Sequence, residues 1–541
     1  MFRLYLLLSL LFLISSLRAD DDVYKHNDDD DEYDYIVLGA GTAGSIVANK
    51  LSENKRNSIL LVEEGGFAQH PWIWDPKDWV QHFITDPEPV VSRVYMSTPE
   101  PGCNNRTMNQ IRAKVTGGCN MNNGMIFVVG DKQLYNDWAD QTGESEWGWD
   151  NVHSKHISEI RSKFYLRKLD DNRKLLPEIK RAVTRLGVPF IPDVYVGNLN
   201  GLTNRISMSK PDNITYQRRE TSYSTYIDPV VANRKNLDVL VYHRAEKIEF
   251  NGNKAVSVRL RDVGTGKIRN VRINKELIIS LGAYESPVLL QASGVGNPSK
   301  LKQAGIKPTI DSPYIGEGLY DHFYINFFAK PLLSTIKIAA DDLNRHTVED
   351  GFLYFGTKQN KTKHDFILGL DFKYLETGQV VFYCPVELVN AKSVGRVQVK
   401  SIDETGAAVH PLITNNYLTS PDDIQILKDG IKECRRIQDK LVQMGIVDGN
   451  KPESSNIGQD DASIEDYIRR TGVRDFHPYG TVKMGRKDDP TAPLDPHLKL
   501  KGTENIRVID ASVIPSINVN TNAPTMIIAL QASKFILKDN K

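Results

Sequence analysis

The sequence predicts an α/β fold in which a Rossmann-like unit on a parallel sheet is interleaved with an α+β unit built on an antiparallel sheet. Three observations predict it. Tyr35–Leu38 is a short apolar run, followed by Gly39-Ala40-Gly41-Thr42-Ala43-Gly44, then by Ile46, Val47 and Leu51 at helical spacing, then by a second apolar run, Ile59–Val62, that ends in Glu63. That order is strand, glycine turn, helix, strand, acid. Leu277–Ser280 is a further apolar run suited to a buried strand. Phe366–Phe372, Val380–Tyr383 and Arg396–Ser401 alternate apolar and polar positions, as strands of an antiparallel sheet do.

Each part of the first stretch has a mechanical reason. Gly39 permits a tight turn, Gly41 removes the side chain that would block a pyrophosphate, and Gly44 lets the helix pack close to the strand. The helix opening at Thr42 and Ala43 offers free amides and the positive end of its dipole to phosphates. Glu63 stands at the distance expected of a carboxylate that accepts ribose hydroxyls. A glycine pattern alone is weak; between two strands and before the acid it specifies a dinucleotide.

The remaining elements follow in order. Met1-Phe2-Arg3 is positively charged, Leu4–Leu17 is leucine-rich, and small Ala19 precedes Asp20-Asp21-Asp22. This reads as a secretory signal peptide over 1–19 and an acidic leader over 20–32. The apolar run is short of the roughly 20 residues a membrane span needs, so a secreted protein with no membrane partner is expected. Sequons at Asn105, Asn213 and Asn360 fit a secreted glycoprotein. Lys plus Arg and Asp plus Glu each number 68, which gives no electrostatic case for nucleic acid. Cys103, Cys119, Cys384 and Cys434 have no metal-ligand spacing; one or two bridges are open to them, and the sequence does not pair them. His153 and His156 lack an acidic or cysteine partner, so no metal is expected. Residues 65–104 form a long excursion without periodicity, and a charged helical stretch runs to about Leu186. Asn236–Val241 and Ala255–Leu260 read as strands around the turn Asn251-Gly252-Asn253. The aromatic residues Phe352, Tyr354, Phe355, Phe366 and Tyr374 fit core better than a pocket. Val508–Asp510 is a short strand ending in an acid, and Thr525–Leu537 is the last helix.

Gly117, Gly118 and Gly124 bracket the Asn-rich loop Cys119-Asn120-Met121-Asn122-Asn123, which can bring amides against a flat polar cofactor. With Tyr33–Gly66, this loop resembles the glucose–methanol–choline (GMC) family of flavin oxidoreductases. Gly282-Ala-Tyr-Glu-Ser-Pro-Val-Leu-Leu-Gln-Ala-Ser-Gly-Val-Gly296 resembles the second signature of that family. Phe476-His477-Pro478-Tyr479-Gly480-Thr481-Val482-Lys483-Met484-Gly485, Ile509–Pro515 and Asn520-Thr521-Asn522-Ala523-Pro524-Thr525 complete the match. The motifs keep the family's order and spacing from Tyr33 onward.

The resemblance implies FAD as cofactor. It divides the chain into FAD-binding segments 33–155, 223–311 and 475–541, a connecting substrate-domain segment 156–222, and a substrate-binding domain 312–474. Beyond the glycine turn and Glu63, it places Gly118, Asn122, Asn123, Gly124, Met125, Asp510, Ala511, Thr521 and Asn522 at the cofactor, with the backbone of Ala245 against the adenine. Asn122 occupies the position where some relatives carry a flavin-linking histidine. An amide cannot form that bond, so non-covalent FAD is implied.

His477 precedes a proline, which biases it to an extended backbone within a glycine-flanked loop. By resemblance it is the catalytic base and Asn520 its partner. An alcohol C–H becomes a good hydride donor once its hydroxyl is deprotonated, and a base near neutrality suits that step. Oxidation of a small alcohol to a carbonyl follows, with O2, giving peroxide, or another acceptor reoxidising the flavin. The alternatives are an FAD-containing hydroxynitrile lyase or a cyanohydrin oxidase, and, less favoured, a non-catalytic secreted flavoprotein. Gly480–Gly485 keeps the Gly-Thr-x-x-Met-Gly form that the lyases tend to lose, which favours redox chemistry.

Overall fold

A computed structural model of the chain describes residues 32–75, 80–168, 174–212, 216–343, 351–356, 364–375, 377–449 and 457–540. The signal peptide, nearly all of the acidic leader, Asn213 and Asn360 lie outside the described residues. No helix among the described residues is long and apolar enough to cross a membrane.

The first apolar run forms a strand over Glu32–Leu38 and the second a strand over Ile59–Val62, paired in parallel through the helix Thr42–Ser52. They sit in a seven-stranded sheet with the spatial order Leu237–Leu240, Ile59–Val62, Glu32–Leu38, Ile268–Ile279, Lys254–Asp262, His243–Asn251, while Ile506–Val508 also pairs with Ile268–Ile279. The parallel strands converge from three distant parts of the chain. Ile36, Leu60, Ile278 and Val508 are fully buried, as strands covered on both faces must be. The last helix, Asn522–Asp539, packs on the helix Thr42–Ser52. It is apolar nearly all round, which suits its buried place.

The hairpin differs from the sequence expectation. Its first strand is His243–Asn251, which pairs antiparallel with Lys254–Asp262 about Gly252. Leu237–Leu240 instead forms the parallel edge beside Ile59–Val62. Its apolar residues fit a buried parallel strand as well as an alternating one, and period alone did not separate the two.

The second large sheet has nine strands and is mostly antiparallel. Its main path runs Val473–Arg474, Phe323–Ile325, Val386–Leu388, Phe366–Tyr374, Phe352–Gly356, Gly201–Asn204, Phe190–Ile191. The long helix Pro421–Gln443 packs across it, and the disulfide Cys384–Cys434 ties that helix to the sheet. Cys103 and Cys119 are free thiols. Phe352, Phe355 and Phe366 are core, whereas Tyr374 is exposed.

Two further expectations need correction. Arg396–Ser401 does not join the nine-stranded sheet. The strand Gly395–Ile402 pairs with Glu317–Leu319 and Ala408–Thr414 in a separate three-stranded sheet, and its Val397 and Val399 pack on Val288 of the helix Gly282–Ala292. The charged stretch before Leu186 is likewise not helical throughout: Leu166–Lys168 is a strand between the helices Ser158–Lys163 and Leu176–Arg185. In both cases a tertiary partner decides the outcome, and local periodicity does not report it.

Candidate active site

The glycine turn and the Asn-rich loop face each other. A methyl group added at Gly118, whose φ is +53°, would lie 2.7 Å from Cα of Gly41. One added at Gly44 would collide with the carbonyl oxygen of Gly39. Side chains at these positions would close the gap between the two loops and lift the helix off its strand. Gly41 caps the helix and has no side chain to accept from the first-turn amides, and no hydrogen bond from the Thr42 or Ala43 amide is made among the described residues. The Glu63 carboxylate is buried and accepts the amides of Ala40 and Gly65, both at 3.0 Å. Burial raises it to about 7, against the pull of those two hydrogen bonds. The amide of His243 donates to the Glu63 carbonyl at 2.9 Å, which brings the strand bearing Ala245 alongside.

The Asn-rich loop is held from two directions. Arg219, fully buried, donates from Nη1 to the carbonyls of Asn120 at 2.9 Å and Asn123 at 3.1 Å. Asn120 donates to Oδ1 of Asn522 at 2.7 Å and so joins the loop to the start of the last helix, which Thr521 caps. Asn123 Oδ1 accepts the Met125 amide at 3.1 Å, and Met125 takes a left-handed backbone, φ +55°. Asn122 and Gly124 are half-buried in the same loop. This is a cradle of glycine backbone, free helix amides and one buried carboxylate, the donor and acceptor set a dinucleotide needs.

Asp510 sits differently from the rest. Its carboxylate accepts Gly282 N at 2.8 Å, Ser286 Oγ at 2.5 Å and Ser512 N at 2.8 Å. Its side chain therefore clamps the turn at Ala511 to the helix Gly282–Ala292. That leaves backbone amides near it, rather than the carboxylate, to meet a cofactor.

His477 and Asn520 are brought together, with His477 Nε2 3.3 Å from Asn520 Nδ2. The loop carrying His477 is fixed on every side. Its amide donates to Asp321 Oδ1 at 2.7 Å, and Asp321 accepts Tyr417 Oη at 2.6 Å. Tyr320 and Tyr479 exchange backbone hydrogen bonds. Phe476 adopts φ +59°, and Arg112 donates to its carbonyl at 3.0 Å. A non-glycine residue held in that conformation stores strain, which the surrounding bonds sustain next to the histidine.

Three side chains that the sequence reading did not single out lie on the other face of the imidazole. His477 Nδ1 is 3.1 Å from Asp475 Oδ2, 3.1 Å from His322 Nδ1 and 3.4 Å from Glu387 Oε1. Burial alone would lower His477, but Asp475 and then Glu387 outweigh it and raise it to about 10. Burial and then Glu387 raise Asp475 to about 6, against the pull of His477. Burial and then His477 push His322 down to about 3. These residues come from separate strands of the nine-stranded sheet or their ends, so no local motif joins them. The sole sequence signal was Asp475, two residues before His477.

With this geometry in hand, the comparisons place the chain. Profiles described as GMC oxidoreductase match residues 33–324 and 391–529. The chain belongs to the GMC oxidoreductase family. It is 28% identical to the mitochondrial choline dehydrogenase of Mus musculus, over 94% of this chain and 89% of that one. It is 29% identical to an alcohol dehydrogenase (acceptor) of Pseudomonas putida, over 94% of this chain and 96% of the other. The fold is shared with pyridoxine 4-oxidase from Mesorbium loti, at TM-score 0.81 and 24% identity, covering 93% of this chain and 99% of that structure.

Proposed function

We propose that the protein is a secreted FAD-dependent oxidoreductase that converts a small alcohol to its carbonyl, with O2 as acceptor and peroxide as product. The observation that carries the reading is the His477–Asn520 pair, set in a loop fixed by Asp321 and Arg112 in a chain with a dinucleotide cradle. The relatives named for choline and alcohol oxidation support an alcohol substrate. Gly41, Gly44, Gly118, Glu63 and the amides at Thr42 and Thr521 would hold FAD, which supplies the acceptor for a hydride when bound.

The chain's own residues do the rest. His477 Nε2 takes the hydroxyl proton of the alcohol, while its Nδ1 side is held by Asp475 and Glu387. These carboxylates stabilise the imidazolium that results, as the acid does in a carboxylate–histidine pair. Because the carboxylates also favour the imidazolium in the resting protein, His477 must first lose its Nε2 proton, so the reaction quickens toward alkaline pH. Asn520 donates from Nδ2 to the developing alkoxide and fixes its direction toward the cofactor.

Three finer points belong to the same reading. Asn122 offers no nucleophile, so FAD is held without a covalent bond and is released on acid precipitation. The leucine-rich start directs secretion. Asn105 is exposed in a turn with its sequon threonine exposed too, which suits glycosylation. Anaerobic mixing with a panel of primary alcohols and cyanohydrins tests the function. At least one alcohol is expected to bleach the flavin, and admitting air should restore its colour with one peroxide per turnover. Cyanide release from a cyanohydrin with the flavin still oxidised would make the protein a lyase and overturn the reading.

A further inference from the structure

Four metal-ligating atoms meet on the Nδ1 side of His477. His322 Nδ1, Glu387 Oε1, Asp475 Oδ2 and His477 Nδ1 all lie within 4.8 Å of one another. His322 Nδ1 is 3.0 Å from Glu387 Oε1 and 3.1 Å from His477 Nδ1. His477 Nδ1 is 3.4 Å from Glu387 Oε1 and 3.1 Å from Asp475 Oδ2. A tetrahedral zinc ion with bonds of about 2.0–2.1 Å separates its ligands by about 3.3–3.4 Å. Four of the six edges lie within a few tenths of an ångström of that figure, and the other two are no longer than 4.8 Å.

Without a cation, hydrogen bonds satisfy this cluster only if a carboxyl carries a proton. If each ring donates from Nδ1 to its nearest carboxylate, two N–H groups abut across the 3.1 Å gap between the rings. If one ring gives up that hydrogen, its lone pair faces a carboxylate oxygen instead, unless a carboxyl carries the proton. A cation at the centre removes both conflicts, because all four atoms then present lone pairs to it. It also neutralises two carboxylates in a mostly buried setting, where unpaired charge is costly. The ligand set, two imidazoles and two carboxylates, suits zinc.

We propose that His322, Glu387, Asp475 and His477 form a zinc-type divalent metal site, and that an ion bound there switches off the histidine. The site has an approach from solvent: the side chains of Glu387, Asp475 and His477 are 15%, 25% and 19% exposed. His322 is fully buried and forms its floor. A metal on Nδ1 takes up that lone pair and leaves the ring hydrogen on Nε2, so Nε2 has no lone pair with which to accept the hydroxyl proton. Nε2 and Asn520 remain in place. The ligands come from positions 322, 387, 475 and 477, which explains why spacing along the chain gave no metal signal.

The inhibitory half rests on His477 being the base; the binding half does not. The test uses flavin-loaded full-length protein, stripped with chelator. Cobalt(II) titration is expected to give the visible bands of a tetrahedral ion, saturating at one equivalent. Zinc is expected to displace it, to slow anaerobic flavin reduction by at least tenfold, and to be reversed by chelator. The double variant Asp475→Asn, Glu387→Gln should keep the flavin spectrum, which reports its fold, and lose the cobalt bands. Absence of tetrahedral bands in the wild type, or bands that survive in the double variant, overturns the site. Bands without slowing by zinc overturn the switch. If His477→Ala reduces flavin as fast as wild type, the base assignment and the switch fall together, while cobalt bands in the wild type would leave the site standing.

Discussion

The Glu63 carboxylate closes the second strand of the β–α–β unit, and its distance from the glycine turn is set by one helix and one strand. The structure adds its role in the protein itself: both carboxylate oxygens are tied to the amides of Ala40 and Gly65. Glu63→Gln turns one acceptor into a donor that faces an amide. We expect FAD affinity, read by fluorescence titration, to fall tenfold or more, in keeping with about 1.5–3 kcal/mol for a hydrogen bond to a charged group. Unchanged affinity would show that the ribose is held elsewhere. The motif singles out His477 and Asn520, and the structure sets them 3.3 Å apart. His322, Glu387 and Arg219 are not legible in the sequence, because each acts through neighbours that only the folded chain supplies. The resemblance places Asp510 at the cofactor, and the structure adds that its carboxylate accepts from three protein donors that no motif reveals.

At the scale of elements, the β–α–β unit and the last helix were readable, since one face or both of each are apolar over a long run. The hairpin at Gly252 was displaced by several residues, because His243–Asn251 is half-exposed and charged and carries little periodicity. What the sequence could not show is that the two glycine loops oppose one another. Gly118→Ala tests that contact. Its methyl group would lie 2.7 Å from Gly41 Cα, at a residue with φ +53°. The left-handed backbone alone costs roughly 1–2 kcal/mol, and the clash forces the loops apart. The variant should purify with much less FAD and bind added FAD at least tenfold more weakly. Full FAD occupancy in Gly118→Ala would mean that the loops do not meet as described.

At the scale of the whole molecule, an ion cluster centred on buried Arg507, at the C-terminus of the last helix, ties that helix to the parallel sheet. Arg507, fully buried, donates to Glu276 at 2.8 Å and to Asp539 at 2.7 Å, and Lys499 joins Asp539 at 2.9 Å. Burial pushes Asp539 up, but the hydrogen bonds from Lys499 and Arg507 outweigh it and hold the carboxyl at about 2. A depressed carboxyl contributes stability above its unfolded value, and that contribution is lost as pH falls through the range from about 4 to about 2. Asp539→Asn should therefore melt lower than wild type at pH 7, and the gap should close as pH falls below about 4. A gap that stays constant through that range would contradict the assignment. The pairing of Cys384 with Cys434 belongs to this scale as well. It joins the link between the strands Val380–Tyr383 and Val386–Leu388 to the helix Pro421–Gln443, and four cysteines without a pattern do not announce it.

The central claim is that His477 is the base of an alcohol oxidation. The most direct test is the rate of anaerobic flavin reduction by a turned-over alcohol, wild type against His477→Ala, each with its full complement of FAD. General-base help contributes 10²- to 10⁴-fold, or about 3–5 kcal/mol of barrier. Slowing within that range is expected with the flavin spectrum unchanged, and a further slowing when the reacting carbon carries deuterium. Reduction of His477→Ala at the wild-type rate would contradict it.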